Sequence, residues 1–214
     1  MTILSYGEDA FTLHALKYGL DEIFAQLGDP TPSTKAIVLF RPSFGRGTRA
    51  ANGRARSTFG EPDVLIGTTH ATYIVEAKWD SSGERAGQDV NLRDEQTLRH
   101  PIIRAYVEAW RAAPALTWAA FVDPAASALA AVAPGFVPPS PGTRLARSLE
   151  FVLRRLEHSG PVKDVLLFCA PSKEQLGAEL RCRGFDVVKY ACPALDSSHF
   201  VVIDGLLESG APTA

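Results

Sequence analysis

Cysteine is scarce in this chain. Its 214 residues include three, Cys169, Cys182 and Cys192, an odd number at spacings that match no zinc motif. That count excludes a disulfide framework or a cysteine zinc site as the basis of the fold, and Cys169, set in an apolar run, reads as core. A surplus of positive charge is missing too: 22 Lys and Arg face 24 Asp and Glu, a formal net charge of −2. The chain is therefore no generally basic nucleic-acid coat, and any contact with nucleic acid must come from a local basic patch. No apolar run approaches the length of a membrane span. The N-terminus has no basic segment leading into an apolar one, so no signal peptide is expected and the chain reads as cytoplasmic. No Gly-x-Ser-x-Gly elbow occurs and no histidine has a convincing setting, which weighs against a Ser-His-Asp hydrolase. Apolar residues are plentiful. They make up 46% of the chain, enough for one core and too many for wholesale disorder.

The stretch that organises the chain runs from Glu61 to Lys78. Val64 to Ile66 and Tyr73 to Val75 are β-branched or aromatic, and Gly67 to Thr72 forms a polar break between them, which predicts a hairpin. A hairpin symmetric about Thr69 and His70 sets Asp63 opposite Glu76, with both side chains on one face. Lys78, two residues beyond Glu76, points to that face as well. Leu65 and Ile74 share it, so the acidic face is expected to be covered. Buried charges there are costly unless a cation or one another compensates them.

Pro62-Asp63, then twelve residues, then Glu76-Ala77-Lys78 resembles the signature of the PD-(D/E)XK nucleases. That superfamily includes many restriction enzymes, junction resolvases and RecB-type nuclease domains. The resemblance implies an α/β fold with a restriction-endonuclease-like core, ordered α-β-β-β-α-β around a central mixed sheet. It implies Asp63 and Glu76 as ligands of Mg²⁺ or Mn²⁺, with the Ala77 carbonyl completing the protein ligands, and Lys78 positioning water or stabilising charge. It also implies a glutamate from the first helix, matched by Glu8, and a glutamine opening the helix after the Glu-x-Lys strand, matched by Gln96. The partner is then nucleic acid, DNA foremost, and cutting both strands of a duplex suits a homodimer. The opposing reading keeps the fold but makes Asp63, Glu76 and Lys78 a structural ion-pair cluster in a metal-free binding or scaffolding module.

Taken in order, residues 5–26 predict a first helix in which Ser5 and Glu8 form a capping box, a role that competes with Glu8 as a ligand. Lys35 to Phe40 predicts a strand. The segment from Arg41 to Gly60 holds Arg41, Arg46, Arg49, Arg54 and Arg56, four glycines and no acidic residue. Its arginines suit phosphate contacts, though a solvated loop has the same composition. Phe44 and Phe59 suit either base stacking or anchoring of the loop. Asp94 to Ala112 predicts a helix that starts or kinks at Pro101, with Arg99 and His100 near Gln96. Leu116 to Val122 reads as a strand, and residues 123–142 as an irregular Ala/Pro-rich crossing segment. Then come a helix over Thr143 to Ser159, a strand over Val162 to Cys169, a helix over Ser172 to Arg183, and strands over Phe185 to Tyr190 and His199 to Ile203. The expectation is one domain over 1–214: a core of about 1–123, the crossing segment, and an α/β extension over 143–208.

Overall fold

The chain begins with a strand where a helix is expected. A computed structural model describes residues 2–44, 61–80, 85–112, 117–157, 159–177, 179–193 and 200–204. β1 (Thr2–Tyr6) leads into α1 (Glu8–Tyr18) and α2 (Leu20–Leu27). Next come β2 (Ile37–Phe40), β3 (Val64–Gly67), β4 (Thr72–Trp79) and a small ribbon of β5 (Arg85–Ala86) and β6 (Asp89–Val90). Three helices follow, α3 (Asp94–Ala112), α4 (Trp118–Val132) and α5 (Arg144–Arg155), then β7 (Val162–Ala170), β8 (Asp186–Ala191) and β9 (Phe200–Asp204).

The protein is α/β, with a central mixed sheet of five strands ordered β2-β3-β4-β7-β8. β2, β3 and β4 pair antiparallel, whereas β4, β7 and β8 run parallel. Alternate residues of each strand face opposite sides, and both sides are covered. Val64, Ile66, Tyr73, Val75, Val165 and Leu167 pack with Phe11, Ile23 and Phe24 of α1 and α2. On the other side Leu65 and Ile74 pack with Tyr106, Trp110, Phe121 and Leu149 of α3, α4 and α5. Each such side chain contributes roughly 1.5–3 kcal/mol by leaving water. Burial on both faces explains why β3 and β4 read as nearly continuous apolar runs, with only the turn between them polar.

That turn is tied down by a buried aspartate. Asp29 accepts from the Thr31 amide at 2.9 Å, the Thr68 hydroxyl at 2.7 Å and the Tyr73 hydroxyl at 2.8 Å. Thr68 Oγ1 in turn accepts from the amides of His70 and Ala71, so the exposed His70 is held by its backbone while its ring lies in solvent.

Several elements differ from expectation. Ser5 caps no helix: it lies in β1, opposite Val201 of β9, in a separate two-stranded antiparallel sheet. Gly7 at φ 85° turns the chain into α1, and no side chain caps it. The expected single helix is two, divided at Gly19, where the Tyr190 ring leaves no room for a side chain. Residues 118–132 are α4, not a strand and crossing segment. Trp118, Phe121, Ala125 and Leu129 bury one helical stripe, and Pro124 is accommodated where only the carbonyl of exposed Ala120 lacks a helical donor. The last strand of the α-β-β-β-α-β order is therefore β7, reached after α4 and α5. α3 runs through Pro101 without starting there. The helix expected over 172–183 is absent in the described part, where turns at 173–176 and Gly177 at φ 69° give way to a bridge between Arg181 and Asp89. Among the described residues, no helix is long and apolar enough to cross a membrane.

Candidate functional site

In the hairpin, Val64 faces Val75 and Gly67 faces Thr72. Continued one step, that register sets Asp63 opposite Glu76 at the open end, as the sequence predicts. Strand alternation turns Asp63, Glu76 and Lys78 to the side covered by α3. All three are buried, with relative exposures of 8%, 0% and 3%. Ala77 lies between the last two with its side chain on the opposite face, and its amide donates to Asp63 Oδ2 at 2.8 Å. That bond fixes the aspartate against the neighbouring strand.

Glu8, freed from the expected capping box by β1, reaches the same place from the start of α1. Its carboxylate lies 3.3 Å from Lys78 Nζ. Gln96, in the first turns of α3, donates to Glu76 Oε2 at 3.2 Å and accepts from the Arg93 amide. So Asp63, Glu76, Lys78, Glu8 and Gln96 converge, although they come from β3, β4, α1 and α3.

Two further α3 residues join them. Arg99 Nε stands 3.0 Å from Glu76 Oε1 and His100 Nε2 stands 3.4 Å from it. These are ion-pair distances without hydrogen-bond alignment, since Glu76 Oε1, Arg99 Nε and His100 Nε2 all lack a directed partner. Arg99 also donates through Nη1 to the Glu61 carbonyl. On its other side His100 Nδ1 meets Asp164 Oδ1 at 2.8 Å, and Arg104 Nη2 meets Asp164 Oδ2 at 2.6 Å. Asp164 was not foreseen. The available signal was a lone carboxylate in the apolar run of β7, together with Gln96, Arg99, His100 and Arg104 at helical spacing.

Charges of both signs crowd the site, and like charge prevails at Asp63. Burial, then the Glu76 charge and more weakly that of Glu8, push the Asp63 carboxyl up to about 7, against the Ala77 amide and Lys78, which pull it down. Burial alone would lower the His100 imidazole, but the Asp164 and Glu76 carboxylates outweigh it and raise it. Burial would raise Asp164, but His100 and Arg104 hold it below its ordinary value.

The arginine-rich segment is described only at its start. Arg41, at φ 46°, pairs with Asp9 at 2.8 Å on a half-exposed surface, so its charge is partly spent beside the first turn of α1. Phe44 is fully buried against Tyr106 and anchors the chain instead of presenting a ring to a base. Arg46, Arg49, Arg54, Arg56 and Phe59 lie outside the described residues.

The donor chemistry fits a hard divalent cation. Asp63 and Glu76 face each other as hard oxygen donors, Asp63 driven toward neutrality by burial and its neighbours and Glu76 with one oxygen that has Arg99 and His100 beside it but no directed hydrogen bond. Mg²⁺ is commonly held by one or two carboxylates, the remainder being water and phosphate oxygens. This matters because no group of three or more His, Cys, Asp and Glu side chains among the described residues is placed to hold a metal. Compared with protein-family models, curated proteins and solved structures, the chain matches none.

Proposed function

We propose that the protein is a divalent-metal-dependent nuclease that hydrolyses phosphodiester bonds of DNA, built on a restriction-endonuclease-like core. The observation that carries this reading is the convergence of Asp63, Glu76 and Lys78, buried on one face at the open end of the hairpin, with Glu8 and Gln96 brought to them from two helices. The order α1, β2, β3, β4, α3, β7 around a mixed sheet supports the core assignment.

Asp63 and Glu76, with the Ala77 carbonyl, would hold Mg²⁺ or Mn²⁺, which when bound supplies Lewis acidity and activates water. The chain's own groups do the remainder. The Ala77 amide holds Asp63 in place, and Gln96 holds one oxygen of Glu76. Lys78, on the face of both carboxylates, would orient the attacking water or stabilise charge building on the phosphate. Glu8 restrains the Lys78 ammonium. The arginines of residues 41–60, with no acidic residue among them, would neutralise the flanking phosphates. Cutting both strands of a duplex would use two copies of the chain.

A second reading has an observation of its own. Arg99 and His100 already crowd Glu76, and Glu8 already pairs with Lys78, as a structural ion cluster in an inactive nuclease-fold binding module would. Incubating circular and linear DNA with the protein in Mg²⁺, Mn²⁺ or EDTA separates the two. Cleavage in metal, its loss in EDTA, and its loss in Asp63→Ala and Glu76→Ala are expected. An inactive wild type whose DNA binding ignores EDTA would favour the binding module.

A further inference from the structure

Gln96, Arg99, His100 and Arg104 form one stripe of α3, spaced three or four residues apart. The first three approach Glu76, and the last two approach Asp164. Asp164 of β7 lies opposite Ile74 of β4, so it shares the face of Glu76 one side-chain repeat along the adjacent strand. The imidazole of His100 therefore spans two carboxylates on two neighbouring strands, with a different nitrogen toward each. It is 2% exposed, and its ring stands edge-on to Phe185 at 4.7 Å. Asp164 is itself restrained, since Arg104 grips its second oxygen while donating through Nη1 to the Val162 carbonyl.

We propose that His100, oriented by Asp164 and Arg104, is a positioning residue that sets the direction of the Glu76 carboxylate for metal. The inference deepens the metal-dependent reading and rests on it. A carboxylate on a strand has freedom about its side-chain bonds, and ligation needs one orientation. Gln96 fixes one oxygen of Glu76, and the second has no directed hydrogen bond of its own. The imidazole stands 3.4 Å from that second oxygen, with Arg99 Nε at 3.0 Å beside it, and the ring's own orientation is fixed from behind by Asp164. Partners of this kind behind a ligand, when removed, typically cost about ten- to a hundredfold in metal affinity or activity. The competing account is that the Asp164 cluster only anchors α3 to β7. It predicts a loss of stability and nothing else.

The two accounts part in a titration of Mn²⁺ alone, by calorimetry, into the full chain and its Asp164→Asn variant, with a melting curve for each. Asp164→Asn keeps the shape of the side chain and removes its charge. We expect Mn²⁺ affinity about tenfold or more weaker, with kcat on linear DNA reduced and KM for DNA unchanged. A folded variant that binds Mn²⁺ as the wild type does, whatever its melting temperature, overturns the proposal alone. A wild type that binds no Mn²⁺ overturns the metal-dependent reading and this inference with it. Should Asp164→Asn fail to fold, Arg104→Gln serves instead, because Arg104 is partly exposed. It should weaken Mn²⁺ in the same direction, and unchanged affinity overturns the proposal there as well.

Discussion

At its closed end the β3–β4 hairpin holds Asp29 among one amide and two hydroxyl donors; at its open end Asp63 has one amide, two neighbouring carboxylates and, with a weaker effect, the Lys78 ammonium. Both aspartates expose little surface to solvent, but Asp63 is enclosed more deeply. Burial raises both, but at Asp29 the hydrogen bonds from Thr31, Thr68 and Tyr73 outweigh it and bring the carboxyl down to about 2. At Asp63 burial and the like charges act together and bring it up to about 7. A deeper position and carboxylate neighbours at one end, and a ring of donors at the other, thus yield opposite chemistry. A site that only had to hold the hairpin together would resemble the Asp29 end. The open end keeps Asp63 against its like-charged neighbours, which is what the proposed metal site would relieve.

The largest effect expected from testing this contrast falls on Lys78. If the open end is built for chemistry, Lys78→Ala should keep binding Mn²⁺ and DNA while turnover drops on the order of a hundredfold or more. Single-turnover cleavage measures this. A Lys78→Ala protein that instead loses stability, unrescued by Mg²⁺, would make the open end structural like the closed one.

Next comes Asp29. Its folded carboxyl lies below the ordinary value, so its stabilisation is present above pH 4 and is lost as pH falls toward 2. The amount is about 2 kcal/mol. Asp29→Asn should lower stability at neutral pH by a similar amount and flatten the acid limb of a urea-denaturation series. An unaltered acid limb would show that the donors do not hold this charge.

The test at Asp63 has the opposite sign. Asp63 lies above the ordinary carboxylate value, so stability falls as pH rises from about 4 to about 7 and stays at the lower level above that. Asp63→Asn keeps an oxygen for the Ala77 amide and removes the charge. In EDTA at pH 8 it should stabilise the fold, and the gain should shrink when the same melts are run at pH 5. Destabilisation at pH 8 would erase the difference between the two ends.

The open end was legible because its information is local. A period of two, a polar break and β-branched flanks determine the Val64–Val75 register and with it the pairing of Asp63 with Glu76. α3, α5, β7 and β8 followed from apolar spacing in the same way. What escaped depends on distant partners. β1 is a strand because β9 lies beside it, and the Ser5–Glu8 pattern imitates a capping box that the backbone does not form. α4 was hidden by Pro124 and by alanines that pack well in either period. Asp164 gains its meaning from α3 across the interior, and nothing in Lys163-Asp164-Val165 announces that contact. Glu8 was legible through the family resemblance, and the Asp29 cluster was not legible at all, since Asp29 reads as the end of a helix.

The contacts of the open end span very different stretches of chain, and this bears on how the protein folds. The Ala77–Asp63 bond closes 14 residues and the Gln96–Glu76 bond 20, whereas His100–Asp164 closes 64 and Lys78–Glu8 closes 70. Closing a loop five times longer costs about 1.4 kcal/mol more in chain entropy. The two acidic groups therefore come together early, with the hairpin, while Glu8 and the Asp164 brace arrive with the last long-range contacts. During that interval the hairpin carries its repulsion with fewer partners, so refolding in EDTA should be slower at pH 8 than at pH 6; equal rates in stopped-flow fluorescence would argue against this order of assembly.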